Sequence, residues 1–257
     1  MIFLLPPLVG LAVFNVWRRK SIPGFFLSVV LICLIAFVYT TPWDNFLVSL
    51  SIWGYPADRV LGTWGHVPYE EYAFFILQPL LTASWMLALL SPKLLQKFIS
   101  TQYSQKDRAS RFWGVALMLV LTYWGAAFLT IPQGTYLGLI LVWAGPVIAF
   151  QWIYGGHLLW RMKKLWFWSW FPPTLYLWVA DRIAIGQGIW FFSEYQTSGL
   201  HFWGLPLEEA LFFLVTNLMV VQGLLLYQTT LLQHTDSSSG IFRRFLHLLG
   251  GRSSVHG

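Results

Sequence analysis

Long apolar runs separated by short polar stretches set the pattern of the whole chain. The apolar windows fall at residues 2–17, 24–41, 68–90, 112–130, 135–157, 165–185 and 206–232. An α-helix needs about 20 mainly apolar residues to cross the roughly 30 Å of hydrocarbon in a bilayer. The first window is short and contains Pro6 and Pro7, but the other six approach or exceed this length. The pattern predicts an all-α, polytopic membrane protein with seven transmembrane helices.

Charge changes this picture by predicting an orientation. Only 10% of the residues are charged, against about 25% in an ordinary soluble domain. Fourteen of the sixteen Lys and Arg residues fall in segments that a seven-helix chain places on one side. Basic loops face the cytoplasm, so the N-terminus is predicted outside and the C-terminus inside. Eight of the ten acidic residues fall on the opposite, outer side, a segregation that topology does not require.

The chain also repeats itself with an offset of about 137 or 138 residues. This offset aligns PYEEYAFFIL with PLEEALFFLV, and TPWDNFLVSLSIWGY with WVADRIAIGQGIWFF. The predicted organisation is a first three-helix repeat at 1–92, a basic loop and linking helix at 93–133, a second three-helix repeat at 134–232, and a polar, basic, flexible cytoplasmic tail at 233–257. Such a 3+1+3 chain contains two parallel repeats related by an axis along the membrane normal.

Each repeat opens an apolar helix with a proline and a pair of glutamates. The two motifs are Pro68 with Glu70 and Glu71, and Pro206 with Glu208 and Glu209. Proline and acidic residues are common at helix N-termini, so helix capping is the alternative interpretation. Capping accounts for one acid per helix but not for the pairing or for its repetition. We therefore interpret the paired glutamates as candidate catalytic groups.

Asp44 and Asp181 occupy matched repeat positions at the ends of the second and sixth predicted helices. Alone, each is explained as an interfacial carboxylate or, for Asp181, as a partner of the adjacent Arg182. Beside the glutamates, both aspartates become candidates for the same acidic cluster. Carboxyl groups crowded together at low dielectric disfavour one another's ionised form, so one of them can remain a proton donor near neutral pH.

Polar residues follow the second glutamate of each pair along one helical face. Gln78 lies seven residues after the first pair, and Thr216 and Asn217 lie seven and eight residues after the second. Polar side chains within a span usually face the bundle interior. We therefore expect the second glutamate of each pair to point inward and the first to serve as a cap or as a partner of the active acid.

Aromatic residues surround the candidate acids in sequence, and their π faces can stabilise a cation. Interfacial belts and packing are the alternative explanation for many of them. The predicted lining residues of the substrate or cation site are Trp43, Asn45, Trp53, Phe74, Phe75, Gln78, Trp190, Phe212, Phe213, Thr216 and Asn217. The histidines are isolated and Cys33 is the single cysteine, so no metal site is predicted. No nucleotide-binding glycine motif occurs, and no cofactor is predicted.

With these residues in view, the chain resembles the membrane lycopene β-cyclase family, which occurs either as two small subunits or as one fused chain. The resemblance rests on TPWDNFLV, GTWGHVPYEEYAFFILQPLLT, LWVADRIAIGQGIW and GLPLEEALFFLVTNLMVVQG. These stretches cover both repeats, so the resemblance implies the fused form with one subunit in each half.

The resemblance implies a redox-neutral intramolecular lyase of carotenoid biosynthesis that forms γ-carotene and β-carotene. A protonated carboxyl group adds a proton to the terminal double bond of lycopene, an internal double bond attacks the cation, and a base removes a proton to leave the β-ring. Glu71 and Glu209, or their neighbours, are implied as acid and base with Asp44 and Asp181 in support. Which glutamate donates the proton stays open.

The partners implied are lycopene or a related acyclic carotenoid, the lipid bilayer of a prokaryotic cell membrane, and other enzymes of carotenoid biosynthesis. Neither a nucleic acid nor a cofactor is implied. If both glutamate pairs lie on the outer side, they form one composite site across the pseudo-twofold axis. A carotenoid about as long as the bilayer is thick, roughly 30 Å, would present one end at a time.

The alternative class is a parallel-repeat small-molecule transporter of SWEET-like architecture, which shares the 3+1+3 arrangement. The acids of this chain gather at one interface beside aromatic residues, with few amides or hydroxyls to bind a sugar. This composition of the site favours the cyclase.

Overall fold

A computed structural model describes residues 3–99 and 103–250, with side chains described as far as residue 233. Helices form over all seven predicted windows, and one short helix is added between the third and fourth. The α-helices are α1 (Leu5–Trp17), α2 (Phe25–Ser49), α3 (Tyr69–Leu89), α4 (Pro92–Ile99), α5 (Gln105–Phe128), α6 (Thr135–Arg161), α7 (Lys163–Gly186) and α8 (Leu207–Gly250).

Five of these helices are long and apolar enough to cross a membrane: α2, α3, α5, α6 and the Leu207–Gln233 part of α8. The prediction of an all-α membrane protein is therefore confirmed. Helix α1 is apolar but short, since its 13 residues rise only about 20 Å. Helix α7 contains charged residues at both of its ends, beginning with Lys163 and Lys164. Spans by α1 and α7 stay predictions.

Two helix ends differ from the predicted ones. Helix α2 continues past residue 41 to Ser49, so Asp44 lies inside the helix, more than a turn before its end. Pro42 removes one backbone donor there without breaking the helix, because the later turns bond normally, as from the N–H of Leu50 to the carbonyl of Phe46. Asp181 likewise lies inside α7, which ends at Gly186. The expectation that both aspartates end their helices was wrong.

Helix α8 extends to Gly250, beyond the predicted end of the seventh span at residue 232. It thus includes most of the segment that was predicted to be a flexible tail. The remainder of that predicted tail, residues 251–257, lies outside the described residues.

Short strands precede both glutamate helices. The strands are β1 (Trp53–Gly54), β2 (Thr63–Trp64), β3 (Val67–Pro68), β4 (Phe191–Phe192), β5 (His201–Phe202) and β6 (Leu205–Pro206). Strands β2 and β3 form one antiparallel hairpin, β5 and β6 form another, and each hairpin leads directly into α3 or α8. Trp203 and Gly204 both have positive φ, as a two-residue type I′ turn requires. Each hairpin therefore fixes where its helix begins.

The third strand pair joins the loop between α2 and α3 to the loop between α7 and α8. Strands β1 and β4 pair antiparallel, with Trp53 opposite Phe192 and Gly54 opposite Phe191. Helices α3 and α8 are the central helices of the bundle: α3 contacts α1, α2, α7 and α8, and α8 also contacts α2, α6 and α7. The two helices that begin with paired glutamates therefore lie side by side under the joined loops.

A buried ion pair holds the other end of the bundle. The Arg161 guanidinium, at the end of α6, donates from Nε to Asp107 Oδ1 over 2.8 Å and from a terminal nitrogen to Asp107 Oδ2. Asp107 also accepts from Ser104 as part of the capping box that begins α5. The side chains of Asp107 and Arg161 are only 8% and 14% exposed. This pair ties α5 to α6 at the end of α6 opposite to the glutamates.

Candidate active site

Four carboxyl groups from four different helices line one cavity under the joined loops. They are Asp44 of α2, Glu71 of α3, Asp181 of α7 and Glu209 of α8. The other lining residues are Trp43, Trp53, Phe74, Tyr136, Trp190, Phe192, Phe212 and Phe213. We call this space the acid cavity. Among the described residues, none of its four carboxyl groups forms an ion pair with Lys, Arg or His.

Each aspartate of the acid cavity is held by a tryptophan from the loop that follows its helix. Trp53 Nε1 donates to Asp44 Oδ1, and Trp190 Nε1 donates to Asp181 Oδ1, both over 2.9 Å. The second oxygen of each aspartate is buried without a hydrogen-bond partner in the described part of the chain. Each aspartate therefore has one oxygen fixed by an indole and one oxygen that no described residue binds.

The two glutamates of the acid cavity have different neighbours. The Tyr136 hydroxyl, at the start of α6, donates to Glu209 Oε1. Glu71 accepts no side-chain hydrogen bond from any described residue, and a crevice beside it is lined by Phe3, Leu4 and other mainly apolar side chains. The matched repeat positions are thus chemically unequal.

Tyr136 is a cavity residue that no sequence motif indicates. This residue lies outside both repeated motifs, 73 positions from the glutamate that it contacts. Neither its neighbours in sequence nor the helical periodicity of α6 marks it as polar and functional. Only the packing of α6 against α8 brings the phenol into the acid cavity.

The first glutamate of each pair binds a loop instead of lining the acid cavity. Glu70 Oε1 accepts from the backbone N–H of Leu61 over 2.9 Å. Glu208 Oε1 accepts from the backbone N–H of Ser198 over 2.7 Å. Pro68 and Pro206 end β3 and β6 just before these helices. The paired glutamates therefore divide into a loop-holding residue and a cavity-lining residue in both halves.

Most of the predicted aromatic residues reach the acid cavity. Trp43 stacks on Phe212 with ring centroids 5.8 Å apart, and Phe74 meets Phe213 edge-on at 5.9 Å. Trp43 also stacks on Trp143, with ring centroids 4.5 Å apart. Phe75, in contrast, lies outside the cavity and packs edge-on against Tyr72.

The predicted polar lining residues lie elsewhere. Asn217 of α8 accepts from Gln78 and Thr82 of α3 and donates to Thr174 of α7, which joins three helices inside the core. Gln78 lies on the same face of α3 as Glu71, but it is about 10 Å further along the helix. It therefore does not reach the acid cavity. These groups satisfy one another's hydrogen bonds.

Thr216 and Asn45 also lie outside the acid cavity. The Thr216 hydroxyl donates to the carbonyl of Phe212, one turn back in α8. Asn45 donates to the Tyr72 hydroxyl over 2.9 Å and accepts from the N–H of His66 over 2.8 Å. Asn45 thereby anchors the β2–β3 hairpin against α2. In the described residues, no group of three or more His, Cys, Asp and Glu side chains has a metal-binding arrangement.

Comparison with known proteins supplies the family. A sequence profile described as lycopene cyclase matches residues 1–89 and 133–227. A lycopene beta-cyclase of Halobacterium salinarum is 39% identical over 223 residues, which cover 86% of this chain and 91% of that protein. A bifunctional lycopene cyclase/phytoene synthase of Arthroderma gypseum is 37% identical over 77% of this chain but only 35% of its own length. No solved structure matches. The chain belongs to the lycopene cyclase family.

Proposed function

We propose that this protein is a lycopene β-cyclase, which converts the acyclic ends of lycopene to β-rings and so forms γ-carotene and β-carotene. The observation that carries the proposal is the acid cavity, in which four carboxyl groups and several aromatic rings meet under a loop cover. The related proteins named as lycopene cyclases support the same substrate and reaction class.

The reaction needs a carboxyl group that is protonated and another that is not. Four carboxyl groups crowded into one buried cavity are not all ionised at once, because each charge disfavours the next. One group therefore holds a proton that it can deliver to the terminal double bond of the substrate. The internal double bond then closes the ring, and a carboxylate takes up the proton released. No oxidant or reductant enters this balance.

The walls of the acid cavity suit a positively charged intermediate. Trp43 and Phe212 present stacked rings, whose π faces stabilise a cation without donating to it. Trp53 and Phe192 of the β1–β4 pair line the site and help to keep water from capturing the cation. Aromatic walls and exclusion of water fit carbocation chemistry better than the binding of a hydrophilic solute, which leaves the transporter alternative without support.

We place Asp44 and Asp181 in the site as supporting acids. Trp53→Phe and Trp190→Phe each remove the indole N–H while keeping an aromatic ring. We expect either change to lower cyclisation about tenfold, because a hydrogen bond to an ionisable carboxyl group is worth roughly 1.5–3 kcal/mol. The measurement is the amount of cyclised carotenoid formed per unit of membrane-inserted protein.

Trp64→Phe is the matched control for these two variants. Trp64 lies in β2 with 59% of its surface exposed, and its side chain is not part of the acid cavity. If Trp53→Phe and Trp190→Phe cyclise lycopene as fast as Trp64→Phe does, the indole–aspartate hydrogen bonds do not support the reaction.

We propose that the chain crosses the membrane seven times, with α1 and α7 as spans beside the five long apolar helices. The N-terminus then lies outside and the C-terminus lies in the cytoplasm of a prokaryotic cell. We also propose two parallel repeats, at 1–92 and 134–232, joined by a linking segment at 93–133. Features that recur at matched positions support this division. These features are the hairpins, the Trp–Asp bonds and the glutamate–loop bonds. The acid cavity then lies near the outer surface, where one end of a bilayer-spanning carotenoid reaches it at a time.

The proposed function is tested by expressing the full chain in a bacterium that accumulates lycopene, followed by separation of the pigments. We expect γ-carotene and β-carotene to replace lycopene, with no added cofactor. Unchanged lycopene, despite membrane-inserted protein detected by immunoblot, would contradict the proposal. Cyclisation of another acyclic carotenoid in the same cells would retain the reaction and change the substrate.

A further inference from the structure

The two glutamates of the acid cavity differ in the groups that can stabilise their charge. Glu209 accepts a hydrogen bond from the Tyr136 phenol. Beside Glu71 lie the hydrocarbon side chains of Phe3 and Leu4, and no described side chain donates to it. A donor stabilises a carboxylate anion, whereas contact with hydrocarbon disfavours it. Among the described residues, these neighbours therefore favour the neutral acid at Glu71 and the anion at Glu209.

We propose that Glu71 is the proton donor of cyclisation and that Glu209, positioned by Tyr136, is the proton acceptor. The inference rests on the proposed function and assigns the roles within it. Glu71 gives its proton to the terminal double bond, and the electron pair of the internal double bond forms the ring bond to the resulting cation. Glu209 then removes a proton next to the new cationic centre, and the electron pair left behind becomes the ring double bond.

The cycle closes without any further reactant. After ring formation Glu209 carries the proton and Glu71 is ionised, so the proton has to return from one glutamate to the other. Both line the same cavity, together with Asp44 and Asp181, whose second oxygens have no partner among the described residues. The proton therefore passes from Glu209 back to Glu71 within the acid cavity.

Both the backbone and the ring of Tyr136 are held in place by residues of the loop between α7 and α8. Its backbone N–H donates to the carbonyl of Gln196 over 3.1 Å, and its ring stacks on Phe192 at 6.0 Å. Gln196 in turn donates from its side chain to the carbonyl of Leu50 over 2.8 Å, and Phe192 belongs to the β1–β4 pair. The phenol is thus fixed to the loop cover, and through it Glu209 is fixed relative to the substrate.

The position of the acceptor decides the kind of ring. The cyclic cation can lose a proton from three different neighbouring carbons, which gives a β-ring, an ε-ring or a ring with an exocyclic double bond. An acceptor in one fixed place removes one of these protons only. A displaced acceptor gives a mixture of rings, whereas a weakened donor slows the reaction without changing the ring that forms.

Tyr136→Phe tests the positioning role, with the ring types of the pigments as the readout. We expect cyclisation to fall about tenfold, as for other lost hydrogen bonds to a carboxylate, and ε or exocyclic rings to appear beside β-rings. Tyr72→Phe is the matched control, since the Tyr72 hydroxyl donates to the carbonyl of Trp64 and lies outside the acid cavity. We expect this control to form β-rings only.

Glu71→Asp and Glu209→Asp separate the two roles, because each keeps a carboxyl group but withdraws it by one methylene. We expect Glu71→Asp to form β-rings only, at a reduced rate, and Glu209→Asp to form mixed rings. Mixed rings from Glu71→Asp with pure β-rings from Glu209→Asp would overturn the assignment, as would pure β-rings from Tyr136→Phe. A wild-type protein that forms no rings at all would instead contradict the proposed function.

Discussion

Glu71→Gln and Glu209→Gln are each expected to leave lycopene almost entirely uncyclised, with a loss of about 100-fold to 10,000-fold in rate. The amide has nearly the shape of the carboxyl group, so the packing around the acid cavity is kept. It neither gives up a proton to a double bond nor accepts one from a carbocation, and general acid or base catalysis accounts for a factor of this size. Both residues line the acid cavity.

The measurement is the amount of cyclised carotenoid per unit of membrane-inserted protein. Glu194→Gln is the matched control, because Glu194 is an exposed glutamate of the loop between β4 and β5 and does not line the acid cavity. We expect the control to cyclise lycopene as the unaltered protein does. Full activity of Glu71→Gln or of Glu209→Gln would remove that glutamate from the reaction and move attention to Asp44 and Asp181.

Asp107→Ala is expected to destabilise the protein by about 3–5 kcal/mol. The change leaves the guanidinium of Arg161 buried without its carboxylate, and removing one partner of a buried ion pair costs this much. The capping box at the start of α5 is lost with it. In detergent, thermal unfolding should shift down by roughly 10 °C or more for a chain of this size.

Asp58→Ala is the control for this stability measurement. Asp58 and Arg59 also form an ion pair, 3.9 Å apart, but their side chains are 82% and 54% exposed. Water screens such a pair, so we expect its loss to leave the unfolding temperature unchanged. An equal shift for the Asp107 and Asp58 variants would show that burial of the Asp107–Arg161 pair adds nothing.

Local sequence signals predict much of this fold. Apolar runs mark the positions of α1–α3 and α5–α8, since helix formation within a bilayer depends on the apolar character of neighbouring residues. The internal repeat matches Glu71 with Glu209 and Asp44 with Asp181. Matched residues of parallel repeats lie about one axis, so these four side chains are expected near one another. These four side chains do share a cavity.

The remainder depends on contacts between distant segments. Helical periodicity places Gln78 and Asn217 on the same helix faces as the glutamates. It does not predict that the two side chains hydrogen-bond to each other in the core and stay outside the acid cavity. Tyr136 carries no sequence signal, since its contact with Glu209 comes from the packing of α6 on α8. Asn45, beside Asp44, points to a hairpin because the turn of the helix separates adjacent side chains by about 100°.

The β1–β4 strand pair has a consequence for the order of folding. It joins loops that more than half of the chain separates, and such a contact forms late because the entropy of closing the intervening loop has to be offset first. The four carboxyl groups come from α2, α3, α7 and α8, so the first half inserts with only two of them in place. The crowding of carboxyl groups that favours a retained proton is therefore absent from the nascent chain. It arises only when the last helix has docked and the loops have paired.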